Sequence, residues 1–172
     1  MDKKLPAIRP ATAADMDEIV KLYDHARAFM RSYGNVTQWP DYYPALEDAR
    51  EDLEKGVLYV AEREGGIVGT FVMMAGPDAT YACIENGSWR ADTPYGVIHR
   101  VASRGGGVLA AALAFAEERF DHIRMDTHAD NAPMRHLLEK QGFSHRGTIY
   151  VENGTPRMAY DLLKEGENGK DQ

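Results

Sequence analysis

Between Tyr95 and Ala129 the chain reads strand, three consecutive glycines, helix, strand, an order that constrains how the two strands can pair. YGVIHRVA (Tyr95 to Ala102) and HIRMDTHA (His122 to Ala129) have the composition of strands. Between them, Leu109, Ala112, Leu113, Ala116 and Phe120 share one face of a helix. Two strands joined through a helix pair in parallel by a right-handed crossover, which predicts a parallel pair in the middle of a sheet. The join is Arg104-Gly105-Gly106-Gly107-Val108. Glycine loses more backbone freedom on ordering than any other residue, and a plain turn needs only one or two. Three at a helix N-terminus let unpaired N–H groups converge on an anion with no Cβ in the way. Arg104 adds a bidentate phosphate donor. The pattern is no P-loop, since no Gly-Lys-Ser/Thr follows, and its glycine spacing is not that of a dinucleotide-binding fingerprint.

The flanking segments complete the order. Thr12 with Asp15 opens a first helix whose apolar positions run from Ile19 to Tyr33, with Gly34 as its stop. Pro44 sits in the first turn of a second helix carrying Leu46, Ala49 and Leu53 and ending at Gly56. VLYVAERE and IVGTFVMMAG read as a hairpin over Gly65-Gly66, and Pro77 to Pro94 as a long connection with a short extended piece around TYACIE. Asp130 is the expected cap of a late helix that Gly142 ends. FSHRGTIYV and PRMAYDLL close the chain as a hairpin, with Asn153-Gly154 suiting a primed turn. The expected fold is mixed α/β: a largely antiparallel sheet with a parallel central strand pair and helices on both faces. One domain is expected over residues 1–165, with 166–172 a polar tail.

At 172 residues with 44% hydrophobic and 27% charged residues, the composition is that of a soluble globular protein. The net charge of -7 argues against nucleic acid as the main partner, because phosphate backbones are bound by clustered Lys and Arg. The single cysteine, Cys83, permits no intrachain disulfide, and no segment reads as a signal peptide or a membrane span. A cytoplasmic protein with no membrane partner is expected.

Three stretches resemble the GCN5-related N-acetyltransferase (GNAT) family. IRPATAADMDEI resembles its first strand and helix start, VASRGGGVLAAALAFAEE its acyl-CoA pyrophosphate loop, and DNAPMRHLLEKQGF its late helix ending in Gly-Phe. The order of elements from Ile8 to Leu163 follows the family as well. The resemblance implies acetyl-CoA as cosubstrate, held by Arg100, Val101, Arg104, Gly105, Gly106, Gly107, Val108 and Asn131, with the backbone near Val101 polarising the thioester carbonyl. Two positions depart from the pattern. Leu109 stands where the loop's second Gly or Ala is expected, and Leu138 where many members carry a tyrosine that protonates the leaving thiolate.

Acyl transfer to an amine requires a neutral nucleophile, so a base is expected near the acceptor. Glu85 is the first candidate and His99 the second, with Tyr150 replacing the missing tyrosine as acid. His99 and Arg100 interrupt a central strand, and a paired structural role suits them equally. Trp39, Tyr42, Tyr43 and Trp89 are expected to wall the acceptor site, the first three within QWPDYYP. Arg124, Asp126 and His128 alternate on one strand face, as a half-exposed strand does, so no metal is expected. The expected activity is N-acetylation of a small-molecule, amino-acid or peptide amine by direct attack in a ternary complex. A non-catalytic acyl-CoA sensor is the alternative; an enzyme acetylating aminoacyl-tRNA is disfavoured by the net acidity. A homodimer is left open.

Overall fold

Hydrophobic periodicity becomes strand and helix in the expected order. The computed structural model describes residues 4–164, so the expected polar tail at 166–172 lies outside the described residues. Strands β1 (Ala7–Pro10), β2 (Leu58–Arg63), β3 (Gly66–Ala75), β4 (Gly96–Ser103), β5 (His122–Thr127), β6 (Ser144–Tyr150) and β7 (Pro156–Leu163) form one seven-stranded sheet. Its hydrogen-bonded order is β1-β2-β3-β4-β5-β7-β6. Helices α1 (Met16–Ser32), α2 (Leu46–Glu54), α3 (Val108–Glu117) and α4 (Ala132–Lys140) connect the strands. β1–β2, β2–β3, β5–β7 and β6–β7 are antiparallel, and β4–β5 is the parallel pair.

The chain divides into two compact units, the first running to Met74 with Ile98–Phe115, the second comprising Ala75–Val97 and the chain from Ala116. In the first, Ile19, Leu22 and Tyr23 of α1 pack with Ala49, Val60 and Val72 in a core from which water is excluded. Burial at i, i+3 and i+4 along α1 is what makes this stretch a helix of the protein, since most helical stability comes from packing an amphipathic face. Gly69 lets α3 close onto β3, because a Cβ there would sit 2.6 Å from Val108 Cγ1. In the second unit, Gly96 gives Phe120 its place: a Cβ would lie 2.3 Å from the ring.

Local turn chemistry differs from expectation in four places. The β2–β3 turn is Glu64-Gly65, both at positive φ (54° and 79°), not Gly65-Gly66. Two such residues give the primed turn that matches strand twist. At the last hairpin only Gly154 is left-handed, and the Gly154 N–H donates to Val151 O at 2.8 Å, so the loop is wider than an Asn-Gly primed turn. Pro44 precedes the α2 N-cap, Ala45, and so stands outside the first turn. α4 is capped by Asn131, not Asp130: Asn131 Oδ1 accepts from Met134 N at 3.2 Å.

At the start of α1, Arg9 donates to both oxygens of Asp15 (2.8 and 2.9 Å) and to Glu62 (2.7 Å). These bonds pull the Asp15 carboxyl down to about 2, overcoming its burial. A depressed carboxyl stabilises the fold fully above its unfolded value near 4 and loses that contribution as pH falls through 2. Stability to urea is expected to drop over this window. Asp15→Asn should flatten the drop by on the order of 1 kcal/mol, reduced because Arg9 is solvent-screened. An unchanged acid limb would show that the bridge adds nothing.

Candidate active site

In the first unit, the glycine segment folds as a short loop between β4 and α3. The Arg104 N–H donates to Val68 O at 2.9 Å, which fixes the loop's start, and Ala111 N donates to Gly107 O at 2.9 Å, which begins the helical ladder. A Cβ on Gly106 would meet nothing within 4 Å, so the loop has an open face. Gly107 has φ +87°, a conformation that L side chains rarely adopt, and a Cβ there would lie 3.3 Å from Arg63 Nη2, Leu5 and Pro6. Val108 and Leu109 are buried, so α3 is anchored beneath the loop. A backbone loop with an open face at a helix N-terminus fits a pyrophosphate, which needs N–H donors and room to approach. The Arg104 guanidinium is exposed, 3.8 Å from Glu18 Oε2.

β4, the strand leading into this loop, is broken at Arg100, whose φ of 49° is left-handed in mid-strand. A bulky residue there costs roughly 1–2 kcal/mol, so surrounding contacts must hold it. Arg100 Nη2 donates to Asp52 Oδ1 and Oδ2 (2.6 and 2.7 Å), Nε to Oδ2 (3.1 Å), and Nη1 to the Tyr43 hydroxyl (2.8 Å). Burial lifts the Asp52 carboxyl above its usual range even against the guanidinium, so this pair serves position more than stability. The irregularity interrupts the strand's alternation: Val97 and Ile98 are buried, whereas His99, Arg100 and Val101 are half-buried. The Arg100 side chain, expected to meet the cofactor, is thus bonded to Asp52 and Tyr43.

The expected acceptor wall from QWPDYYP separates in space. Trp39 is 6% exposed and packs edge-on against Tyr23 at 5.9 Å, making it a core residue. Tyr42 is 80% exposed, and Tyr43 turns its hydroxyl to Arg100.

In the second unit, two carboxylate–tyrosine pairs stand out. Glu85 pairs with Thr148 on the outer edge of β6 (both N···O distances 2.8 Å), and Tyr150 donates to Glu85 Oε2 at 3.1 Å. That bond and the carboxylate's charge raise the Tyr150 phenol, keeping its proton in place. Gly147 permits the crossing, since a Cβ would lie 2.5 Å from Glu85 O. β7 and β6 intervene between β5 and this bridge, which at ~4.8 Å per strand puts the Glu85 backbone about 14 Å from β5. The second pair lies on β5 itself. Buried Tyr81 donates to Asp126 Oδ2 at 2.6 Å, and burial followed by the Asp126 charge lifts the Tyr81 phenol far above its usual value. Asp126 stays half-exposed, and β5 is paired to β4 only at Ile123 and Arg124. The parallel ladder thus ends before Asp126.

Trp89 is half-buried, its indole N–H bonded to Tyr81 O at 3.0 Å, with Arg124 over its face at 4.3 Å. Asn131 is occupied as the α4 cap, and Leu138 is fully buried. Among the described residues, no group of three or more His, Cys, Asp or Glu could hold a metal ion, and no helix is long and apolar enough to cross a membrane. Asp52, Tyr81 and Arg63 escaped the sequence reading, which took Asp126 only as one of three alternating residues on a strand face. For Asp126 a signal existed, a carboxylate on the strand after the crossover, but its tyrosine partner lies 45 residues away.

A family model for the acetyltransferase (GNAT) domain matches residues 7–144. A GNAT-family acetyltransferase from Streptococcus agalactiae is 31% identical, with 93% of this chain and 96% of that chain covered and a TM-score of 0.85. The ribosomal-protein-alanine N-acetyltransferase of Brucella melitensis (24% identical, covering 91% and 99%, TM-score 0.62) has the same fold. So does AAC(6')-Ib in complex with ribostamycin and coenzyme A (17% identical, covering 93% and 94%, TM-score 0.65). No curated protein sequence matches the chain. With its family model matched over most of the chain and a relative 31% identical over nearly all of it, this chain belongs to the GNAT acetyltransferase family and is an acetyl-CoA-dependent acyltransferase.

Proposed function

We propose that this protein transfers an acetyl group from acetyl-CoA to a primary amine of a small molecule, amino acid or peptide, by direct attack in a ternary complex. The observation that carries the reading is the glycine loop opening α3, with an open face at Gly106; on this reading the N–H groups of Gly105, Gly106, Gly107 and Val108 meet the pyrophosphate, and Arg104 adds a flanking charge. The N-acetyltransferase name of the Brucella neighbour supports a nitrogen acceptor. The amine nitrogen bonds to the acetyl carbon as the carbon–sulfur bond breaks; a base takes the ammonium proton and the thiolate is reprotonated. Cys83 is exposed and is not needed as an acyl carrier.

For the base we favour Asp126, because it lies on β5 just beyond the end of the parallel ladder and Tyr81 fixes one of its oxygens. Glu85 with Tyr150 as acid is the second arrangement, since the two side chains already share a hydrogen bond. His99, half-buried on β4, stays a candidate in either.

Amine-dependent release of free thiol from acetyl-CoA, across a panel of polyamines, amino acids and short peptides, tests the activity. No release with any of them would refute it. With an active amine, Asp126→Asn is expected to lower kcat about 100-fold and Glu85→Gln less than threefold. The reverse outcome assigns the base to Glu85.

A further inference from the structure

We propose that Arg63 is a positioning residue for the glycine loop, setting the peptide plane that aims the Gly107 N–H at the cofactor's pyrophosphate. The inference rests on the reading that this loop holds CoA. Arg63 ends β2, far from the loop in sequence, yet its Nη2 donates to Gly106 O at 2.8 Å and reaches Lys4 O at 3.4 Å. Its Nη1 comes within 3.5 Å of where a Gly105 Cβ would stand. In a trans peptide the C=O and the following N–H point in opposite directions. Drawing the Gly106 carbonyl toward Arg63 therefore turns the Gly107 N–H away from it.

A Gly-Gly peptide has no side chain to resist a flip, and the flipped form would present a carbonyl oxygen to a phosphate. Two bonds hold this loop against that: Arg104 N to Val68 O at its start and Arg63 to Gly106 O near its end. The left-handed φ of Gly107 and the crowding that a Cβ there would meet from Leu5 and Pro6 belong to the same arrangement. Arg63 so supplies rigidity to a loop whose sequence is unusually rich in conformational freedom.

Calorimetric binding of acetyl-CoA, 3′-dephospho-CoA and S-acetylpantetheine to wild type, Arg63→Ala and Arg63→Gln tests the proposal. Arg63→Ala should weaken both nucleotide ligands by the same factor, about fivefold to tenfold, and leave S-acetylpantetheine, which lacks the pyrophosphate, unaffected. Arg63→Gln keeps a donor for the Gly106 carbonyl without the charge and should restore affinity to within about twofold of wild type. A Gln variant as weak as Ala would reduce Arg63 to a point charge, and a loss confined to acetyl-CoA would place it on the 3′-phosphate; either overturns the proposal, as does an unchanged Ala variant. Wild type failing to bind either nucleotide would instead refute the CoA site itself.

Discussion

Asp52→Ala is expected to lower stability to urea by about 3 kcal/mol, because it leaves the Arg100 guanidinium inside the protein with its charge unpaired. Asp52 is 3% exposed and accepts three hydrogen bonds from Arg100. The same change releases the left-handed backbone at Arg100, whose strain is held by those contacts. Asp52→Asn keeps two acceptor sites but loses the charge, and should fall between alanine and wild type. Tyr43→Phe removes only the fourth bond and should lose about 1 kcal/mol. Replacing both partners by apolar residues of similar volume tests what the pair is for: such a variant should recover stability but not acetyl transfer. Asp52→Ala unfolding at the wild-type urea midpoint would show that solvent reaches Arg100 and that the network is ornamental.

Asp161→Ala is expected to lose a similar amount, about 3 kcal/mol, in the other compact unit. Asp161 is fully buried on β7 and accepts from Arg90 N (3.0 Å), Arg90 Nε (2.7 Å) and His122 Nε2 (3.0 Å). Burial pushes its carboxyl up, but the bonds from His122 and Arg90 outweigh that and hold it below the ordinary range. It thus stabilises the protein above the unfolded carboxyl value, and that contribution fades as pH falls through the folded one. Arg90 belongs to the connection between β3 and β4, which Arg124 also grips through Ala91 O at 3.0 Å. Cutting the Asp161 anchor should therefore raise trypsin cleavage at Arg90 under native conditions. A cleavage rate equal to wild type, alongside the stability loss, would mean that the connection is held without Asp161, by contacts such as Arg124 to Ala91 O and Glu85 to Thr148.

Which elements form was legible in the sequence because helix and strand periodicity, glycine stops and Pro-bearing turns act over a few residues. α1, with Ile19, Leu22 and Tyr23 on one face, and the strand–glycine–helix–strand succession of β4, α3 and β5 were all readable in this way. The turns were legible only in part. At Glu64-Gly65, pairing of Arg63 with Gly66 chose the turn over the neighbouring Gly-Gly. At the head of α4, both Asp130 and Asn131 suit a cap by residue type, and only the helix's start relative to β5 decided for Asn131.

The sequence by itself determined the element order, the parallel pair implied by the crossover, and a glycine loop at Arg104 to Val108 opening α3, since each follows from residues adjacent along the chain. Only the tertiary structure decided that Trp39 is core, that Arg100 faces Asp52 across 48 residues, that Arg63 reaches Gly106 across 43, and that Tyr81 meets Asp126 across 45. The reason is physical. A hydrogen bond or ion pair between distant residues leaves no periodic trace, and it exists only once loop-closure entropy has been met by the packing of the strands and helices that carry its two ends.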